Sequence, residues 1–164
     1  MMEISYLMLG GNIGDRMKYL SQCIEQLCSN VGRVTGLSAV YESEPWGFVD
    51  TQWFFNQVVA VETNLDPLRL LKTIQQIERI LGRLRTKEGY QPRTMDIDIL
   101  LYGNQVINTP ELVIPHPRMA ERMFVLQPLS ELAPDMEHPV LYQTMAYLKE
   151  HCSDRKQVRK LSLH

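Results

Sequence analysis

The order strand, helix, strand, strand, helix, strand over residues 4 to 101 predicts an α+β fold, a ferredoxin-like βαββαβ core with both helices packed on one face of an antiparallel sheet. Three observations predict it. Ile4 to Leu9 is a short run rich in apolar residues, the length of a central strand rather than of a helix. Two later segments repeat apolar residues at helical spacing behind good N-caps. Between and after them lie β-rich stretches, the last of which, Arg93 to Leu101, alternates polar and apolar residues with period two.

Taken in order, the first strand is expected to end in a tight turn at Gly10-Gly11-Asn12. Asp15 can cap a helix whose apolar positions Met17, Leu20, Ile24 and Leu27, with Cys23 on the same face, run to a stop at Ser29-Asn30. Val31 to Tyr41 and Phe54 to Glu62 read as two strands, joined by a loop with Pro45, Trp46, Gly47 and Asp50 that is long for a hairpin. Asp66-Pro67 is an N-cap followed by an N1 proline, and Leu70, Leu71, Ile74, Ile77 and Leu81 carry an apolar stripe to Gly82. Beyond the Asp-bearing strand, Tyr102-Gly103-Asn104 predicts a turn into Gln105 to Ile107. Helical pieces follow at Phe124 to Leu132 and Leu141 to Glu150, a C-terminal hairpin and helical extension on the core. The final residues, 153–164, hold Arg155, Lys156, Arg159 and Lys160 and read as a loosely ordered basic tail.

Length and composition narrow the functional classes. The 164 residues, 45% hydrophobic and 22% charged, suit a single domain spanning 1–164. A net charge of −2 argues against general nucleic-acid binding, which needs a basic face spread over many phosphates. The basic residues are instead local, so a small polyanion is the expected partner. Three cysteines without a Cys-x-x-Cys indicate neither a disulfide framework nor a thiolate zinc site. With no signal-like N-terminus and no apolar run of membrane length, a cytoplasmic protein with no membrane partner is expected, as a monomer, with an oligomer left open.

The chemistry concentrates around Asp96 and Asp98. On a strand they share one face, about 6.6 Å apart, with Met95, Ile97 and Ile99 on the other. Two anions so close repel unless a cation lies between them, and a hard divalent cation with oxygen ligands suits best. An isolated Asp-x-Asp is more often a solvated acidic face, but Arg83, Arg85, Lys87 and Arg93 lie just upstream and would suit a polyphosphate carried on that metal. His116 is held between Pro115 and Pro117, which would present its imidazole from a stiff loop. Trp46, Trp53, Phe54 and Phe55 precede Asn56, and Phe124 follows Arg122. Such aromatics can pack a core, or, with an amide alongside, stack on a flat heterocycle and read its edge. Gly10-Gly11-Asn12-Ile13-Gly14 follows neither the P-loop nor the dinucleotide pattern.

From the first strand to about residue 136 the chain resembles the 6-hydroxymethyl-7,8-dihydropterin pyrophosphokinases of folate biosynthesis. The most specific part is Pro92-Arg93-Thr94-Met95-Asp96-Ile97-Asp98-Ile99-Leu100, and the spacing to Leu101-Tyr102-Gly103, Ile114-Pro115-His116 and Arg122-Met123-Phe124 agrees with it. The resemblance implies transfer of the β,γ-pyrophosphoryl group of ATP, the co-substrate, to the pterin hydroxymethyl, with release of AMP. It implies that Asp96 and Asp98 hold two Mg²⁺ ions on the ATP phosphates and that Arg83, Arg85, Arg93 and His116 bind the polyphosphate, Arg83 and Arg93 as catalytic groups. Adenine would lie by the backbone near Ile99 and Leu112, with Gln75 nearby. Phe54 and Phe124 would sandwich the pterin while Asn56, with backbone groups around Ser43 and Trp46, bonds its edge and Arg122 reaches the pterin and phosphate side.

Some positions depart from the family pattern. Gly89-Tyr90-Gln91-Pro92-Arg93 stands where many members have Arg-Trp-Gly-Pro-Arg, so the loop from about Arg83 to Arg93, which the resemblance implies is a lid over the substrates, carries Gly89 and Tyr90 instead. Pro117 replaces a tyrosine found in some members, and Gly11 stands where serine is common. Two other classes fit the residues alone: a two-metal phosphohydrolase or nuclease, and a non-catalytic ferredoxin-like module that binds a small ligand or RNA.

Overall fold

A computed structural model describes residues 2–44, 52–82 and 94–162. Its first strand, β1 (Glu3–Gly11), is longer than its apolar run predicts: Gly10 and Gly11 continue the ladder instead of turning. The helix α1 (Arg16–Asn30) starts as expected, with the Asp15 carboxylate accepting from Lys18 N at 3.1 Å, and it buries Leu20, Cys23 and Leu27. Such a cap contributes about 1 kcal/mol by pairing an otherwise orphaned donor.

The segment expected as one strand from Val31 to Tyr41 is two, β2 (Gly32–Leu37) and β3 (Tyr41–Ser43). Both pair with β4 (Phe54–Thr63). The break has a visible cause: Ser38 N still donates to Val58 O at 2.9 Å, but Val58 N turns to Ser38 Oγ at 2.9 Å and Ser38 O accepts from Gln57 Nε2 at 2.8 Å, so side chains take over part of the pairing there. The helix α2 (Pro67–Ile80) has the expected Asp66 cap and N1 proline, and its exit at Gly82 needs the left-handed φ of +92° that glycine adopts without strain.

The strand β5 (Asp96–Tyr102) lies beside β1, and the main sheet runs β5, β1, β4, β3, with β2 also on β4, all pairs antiparallel. A final strand, β8 (Val158–Lys160), extends this sheet by pairing with β3. The basic tail is therefore not frayed at these residues: Val158 faces Ser43 in the ladder, and Leu161 N donates to Val40 O at 2.9 Å. Basic composition signals solvation of the side chains, but the backbone pairs with an edge that would otherwise stay open.

Between β5 and β8 the chain forms a small hairpin of β6 (Ile107–Asn108) and β7 (Val113–Ile114), a 3₁₀ turn at Met119–Glu121, and the helices α3 (Met123–Leu132) and α4 (Met145–Glu150). Strand pairing thus begins at Ile107, not Gln105, and α4 begins at Met145, not Leu141. His138 explains the second difference. Its Nδ1 accepts from Val140 N at 3.2 Å and Leu141 N at 3.0 Å, holding a turn that runs until Thr144 caps the helix.

That role requires a neutral imidazole, and burial lowers the His138 pKa from its ordinary 6.5. The unfolded chain therefore takes up this proton first as pH falls. The stability it contributes is fully present above about pH 6.5 and is lost as pH falls through the lower folded value. We expect the drop in melting temperature between about pH 7.5 and about pH 5 to be smaller in His138→Gln than in wild type, a difference differential scanning calorimetry resolves.

Two apolar clusters lie on the sheet. The larger joins α1 and α2 to one face through Leu7, Leu9, Leu20, Leu27, Val59, Leu70, Ile74, Ile77, Ile97 and Ile99. Each fully buried leucine or isoleucine there stabilises the fold by about 1.5–3 kcal/mol before entropy is counted. The second cluster sets Met8, Val58, Leu100, Met119, Val125, Leu129 and Met145 together. The face of the sheet opposite α1 and α2 is therefore partly roofed by α3 and α4. Among the described residues no helix is long and apolar enough to cross a membrane.

Candidate active site

Three neighbouring strands bring the polar residues of the second face together. In the ladder Gly10 lies between Asp96 and Asn56, and Met8 lies between Asp98 and Val58. Residues directly opposite in a ladder share a face, so Asp96, Asp98, Gly10, Met8 and Asn56 face the same way while Ile97 and Ile99 enter the larger cluster. This is the division that the period-two pattern predicts for β5.

These side chains line a pocket of about 240 Å³, completed by Ser43, Glu44, Phe54, Arg122 and Phe124. That is below the roughly 300–1,000 Å³ usual for ligand sites, room for a small molecule. Asn56 is buried, and its Nδ2 donates to Ser43 Oγ at 2.6 Å, so the amide is fixed before any ligand arrives. Gly10 makes this possible: a Cβ there would lie 2.9 Å from Asn56 Oδ1. Gly10→Ala should displace that amide, lowering affinity for the pocket's ligand with little change in melting temperature; isothermal calorimetry and a thermal melt together check it.

The aromatic pair is divided between walls. Phe54 opens β4 opposite Ser43, and Phe124 lies in the first turn of α3, where the Arg122 guanidinium sits over its ring at 5.6 Å from the centroid. Both rings are only partly buried, which leaves each with surface to offer a ligand. Phe55 behaves differently: it is buried in the larger cluster beneath the Arg16 guanidinium, 3.7 Å from the ring centroid.

His116 does not line the pocket but stands close enough to feel it. Its backbone N donates to Leu100 O at 3.0 Å, and its Nδ1 accepts from Arg118 N at 3.2 Å, leaving Nε2 as the donor of the neutral ring. Burial lowers its pKa most; Arg122 and Arg118 push the same way, and Asp98 opposes them. The imidazole is therefore a neutral donor near pH 7.

The remaining expected residues are less gathered. Ile99 and Leu112 send their side chains into the larger cluster, so only their backbone is available to a base, and Gln75 is exposed on α2. Trp46, Arg83, Arg85, Gly89, Tyr90 and Arg93 lie outside the described residues. Met8, Gly10 and Glu44 line the pocket without having been expected there. The signal available for the first two was the alternation of β1 opposite the aspartates, readable only once the β1–β5 register is known.

Among the described residues no three His, Cys, Asp or Glu side chains gather as a metal cage. Two carboxylates on one strand face fit Mg²⁺ all the same, because that ion keeps waters and substrate phosphates and takes only one or two protein carboxylates.

Fold and site define a class: an α+β protein whose sheet places paired carboxylates in the same pocket as two aromatic rings and a fixed amide, an arrangement chemically able to take a small planar ligand beside a divalent cation. A family model described as 7,8-dihydro-6-hydroxymethylpterin-pyrophosphokinase matches residues 6–134. The chain belongs to the 7,8-dihydro-6-hydroxymethylpterin-pyrophosphokinase family.

The relatives agree. The chain is 46% identical over 138 residues to the 2-amino-4-hydroxy-6-hydroxymethyldihydropteridine pyrophosphokinase of Bacillus subtilis (strain 168), covering 84% of this chain and 82% of that protein. It is 48% identical over 141 residues to the protein of the same name from Porphyromonas gingivalis, covering 84% and 95%. The wild-type HPPK-DHPS crystal structure from Plasmodium falciparum superposes with a TM-score of 0.74 at 18% identity, covering 92% of this chain and 44% of that one, and so shares its fold.

Proposed function

We propose that this chain transfers the pyrophosphoryl group of ATP to the hydroxymethyl group of 6-hydroxymethyl-7,8-dihydropterin, giving AMP and the pterin diphosphate in folate biosynthesis. The observation that carries the reading is that one pocket joins Asp96 and Asp98 to Phe54, Asn56 and Phe124. Carboxylates for the phosphate end and a stacking slot for the acceptor are then adjacent, as a direct transfer requires.

In this reading Phe54 and Phe124 stack on the two faces of the pterin, and the Asn56 amide, with the backbone near Ser43 and Trp46, bonds its edge. The acceptor hydroxyl oxygen attacks the β-phosphorus, the bond from that phosphorus to the α,β-bridging oxygen breaks, AMP leaves with that oxygen, and the hydroxyl proton is released. Asp96 and Asp98 would hold Mg²⁺, two ions in our reading, which neutralises phosphate charge and lowers the pKa of the attacking hydroxyl. Arg83, Arg85 and Arg93 bind the polyphosphate through charge-assisted bonds, the neutral Nε2–H of His116 donates to it, and Arg122 spans the pterin and phosphate sides. Adenine lies by the backbone of Ile99 and Leu112, near Gln75.

We also read the core as ferredoxin-like, supported by the antiparallel order β5, β1, β4, β3 and by the helices that link its strands. The chain acts as a single domain, as a monomer in the cytoplasm. Incubation with Mg-ATP and the hydroxymethyl-dihydropterin should yield AMP only when both substrates and the metal are present. ADP or free phosphate, with or without pterin, would overturn the proposal in favour of a kinase or a phosphohydrolase.

A further inference from the structure

The C-terminal segment 152–161 lies beyond the residues the family model matches, 6–134, yet it touches both walls of the pocket. At one wall Val158 pairs with Ser43, Gln157 N donates to Glu44 Oε1 at 2.7 Å, and Glu44 N donates to Gln157 O at 3.4 Å. Arg159 lies over the Trp53 ring, 4.2 Å from its centroid, and within 3.4 Å of Glu42 Oε2. At the other wall Asp154 Oδ2 accepts from Met123 N at 2.9 Å. Met123 is the first residue of α3, whose N-cap, Arg122, supplies no side-chain cap bond.

Asp154 thus satisfies from a distance one of the orphaned N–H donors in the first turn of α3, that of its first residue, and so binds the peptide that joins Arg122 to the residue before Phe124. Its second oxygen accepts from Lys156 N at 2.9 Å, so the carboxylate is itself held in place. We propose that Asp154 is a positioning residue for the pterin wall, fixing the entry of α3 so that the Arg122 guanidinium and the Phe124 ring meet the ligand. This deepens the proposed function and rests on the pterin occupying the slot between Phe54 and Phe124. The geometry favours this role over plain stabilisation, since the bond falls between two pocket-lining residues and not at a distant turn.

The test is equilibrium binding of the hydroxymethyl-dihydropterin to the full chain, with Asp154→Ala and Asp154→Asn, in wild-type and Phe124→Ala backgrounds. Asp154→Ala should raise the pterin Kd roughly tenfold and leave the Kd of a non-hydrolysable Mg-ATP analogue within about twofold, since it acts at one wall. Asp154→Asn keeps an acceptor oxygen for Met123 N and should restore most of the affinity. In the Phe124→Ala background the Asp154→Ala effect should shrink to about twofold or less, because the ring it positions is gone. A cooperative melt is required of each variant. Should Asp154→Ala fail to fold, Asp154→Asn decides: pterin affinity near wild type supports the proposal, and a tenfold loss overturns it. An unchanged pterin Kd in folded Asp154→Ala, or the same tenfold loss in both backgrounds, also overturns it. Failure of the wild-type chain to bind pterin would instead sink the functional reading on which it rests.

Discussion

Asp96→Ala and Asp98→Ala should each lower turnover by at least about 10²-fold while leaving the fold intact, the scale seen when one preorganised transition-state group is removed. Both residues line the pocket from the outward face of β5, whose inward residues Ile97 and Ile99 remain in the core. Alanine there leaves that packing untouched but takes away a carboxylate that would hold the ion against the phosphates. The expectation is checked by steady-state rates in saturating Mg²⁺ on variants whose circular dichroism matches wild type. Asp98→Ala has a second signature: it removes the charge that raises the His116 pKa against burial, so the His116 titration should move lower still. Proton NMR of the imidazole reads this independently of activity. Near-wild-type turnover in either folded variant would remove the metal assignment.

Phe124→Ala and Phe54→Ala should weaken pterin binding by about 1–3 kcal/mol, the worth of stacking a flat ring on an aromatic side chain. Nucleotide affinity should change much less, because the rings supply a stacking surface and no charge to the phosphates. Phe124 should show the larger effect, since its loss also frees the Arg122 guanidinium that sits over it. Calorimetry with each substrate in turn separates the two. Equal weakening toward ATP analogue and pterin would show that the rings serve general packing.

The contrast between Phe54 and Phe55 shows how far the sequence could be read. Adjacent aromatics on a strand point to opposite faces, so one had to be core and one available, and Asn56 two residues after Phe54 marked the available face. Asp96 and Asp98 were legible for the same reason, as were the two helices, whose caps Asp15 and Asp66 act within four residues of the groups they satisfy. What stayed hidden depends on partners far along the chain. Glu131 illustrates this: it accepts from Ala39 N and the Tyr41 hydroxyl, both at 2.7 Å, and meets Lys160 at 3.5 Å, tying α3 to β3 and β8. Burial and that carboxylate push the Tyr41 hydroxyl up to about 12. No local pattern around Glu131 announces those partners, and the same holds for Asp154 on Met123 and for the pairing of the basic tail with β3. The split of Val31 to Tyr41 into two strands was hidden too, because Ser38, between β2 and β3, interrupts the ladder through Gln57 and Val58 of β4, residues it meets only after folding.

The central claim is that a two-phosphorus unit moves intact. ATP carrying a radioactive β-phosphorus, incubated with Mg²⁺, the pterin and the enzyme through a single turnover, tests this most directly. The label should pass to the pterin product, and the AMP formed should be unlabelled. Label retained in ADP would show transfer of the γ-phosphoryl group alone, and label released as inorganic pyrophosphate would show hydrolysis; either result would rule out pyrophosphoryl transfer to the pterin.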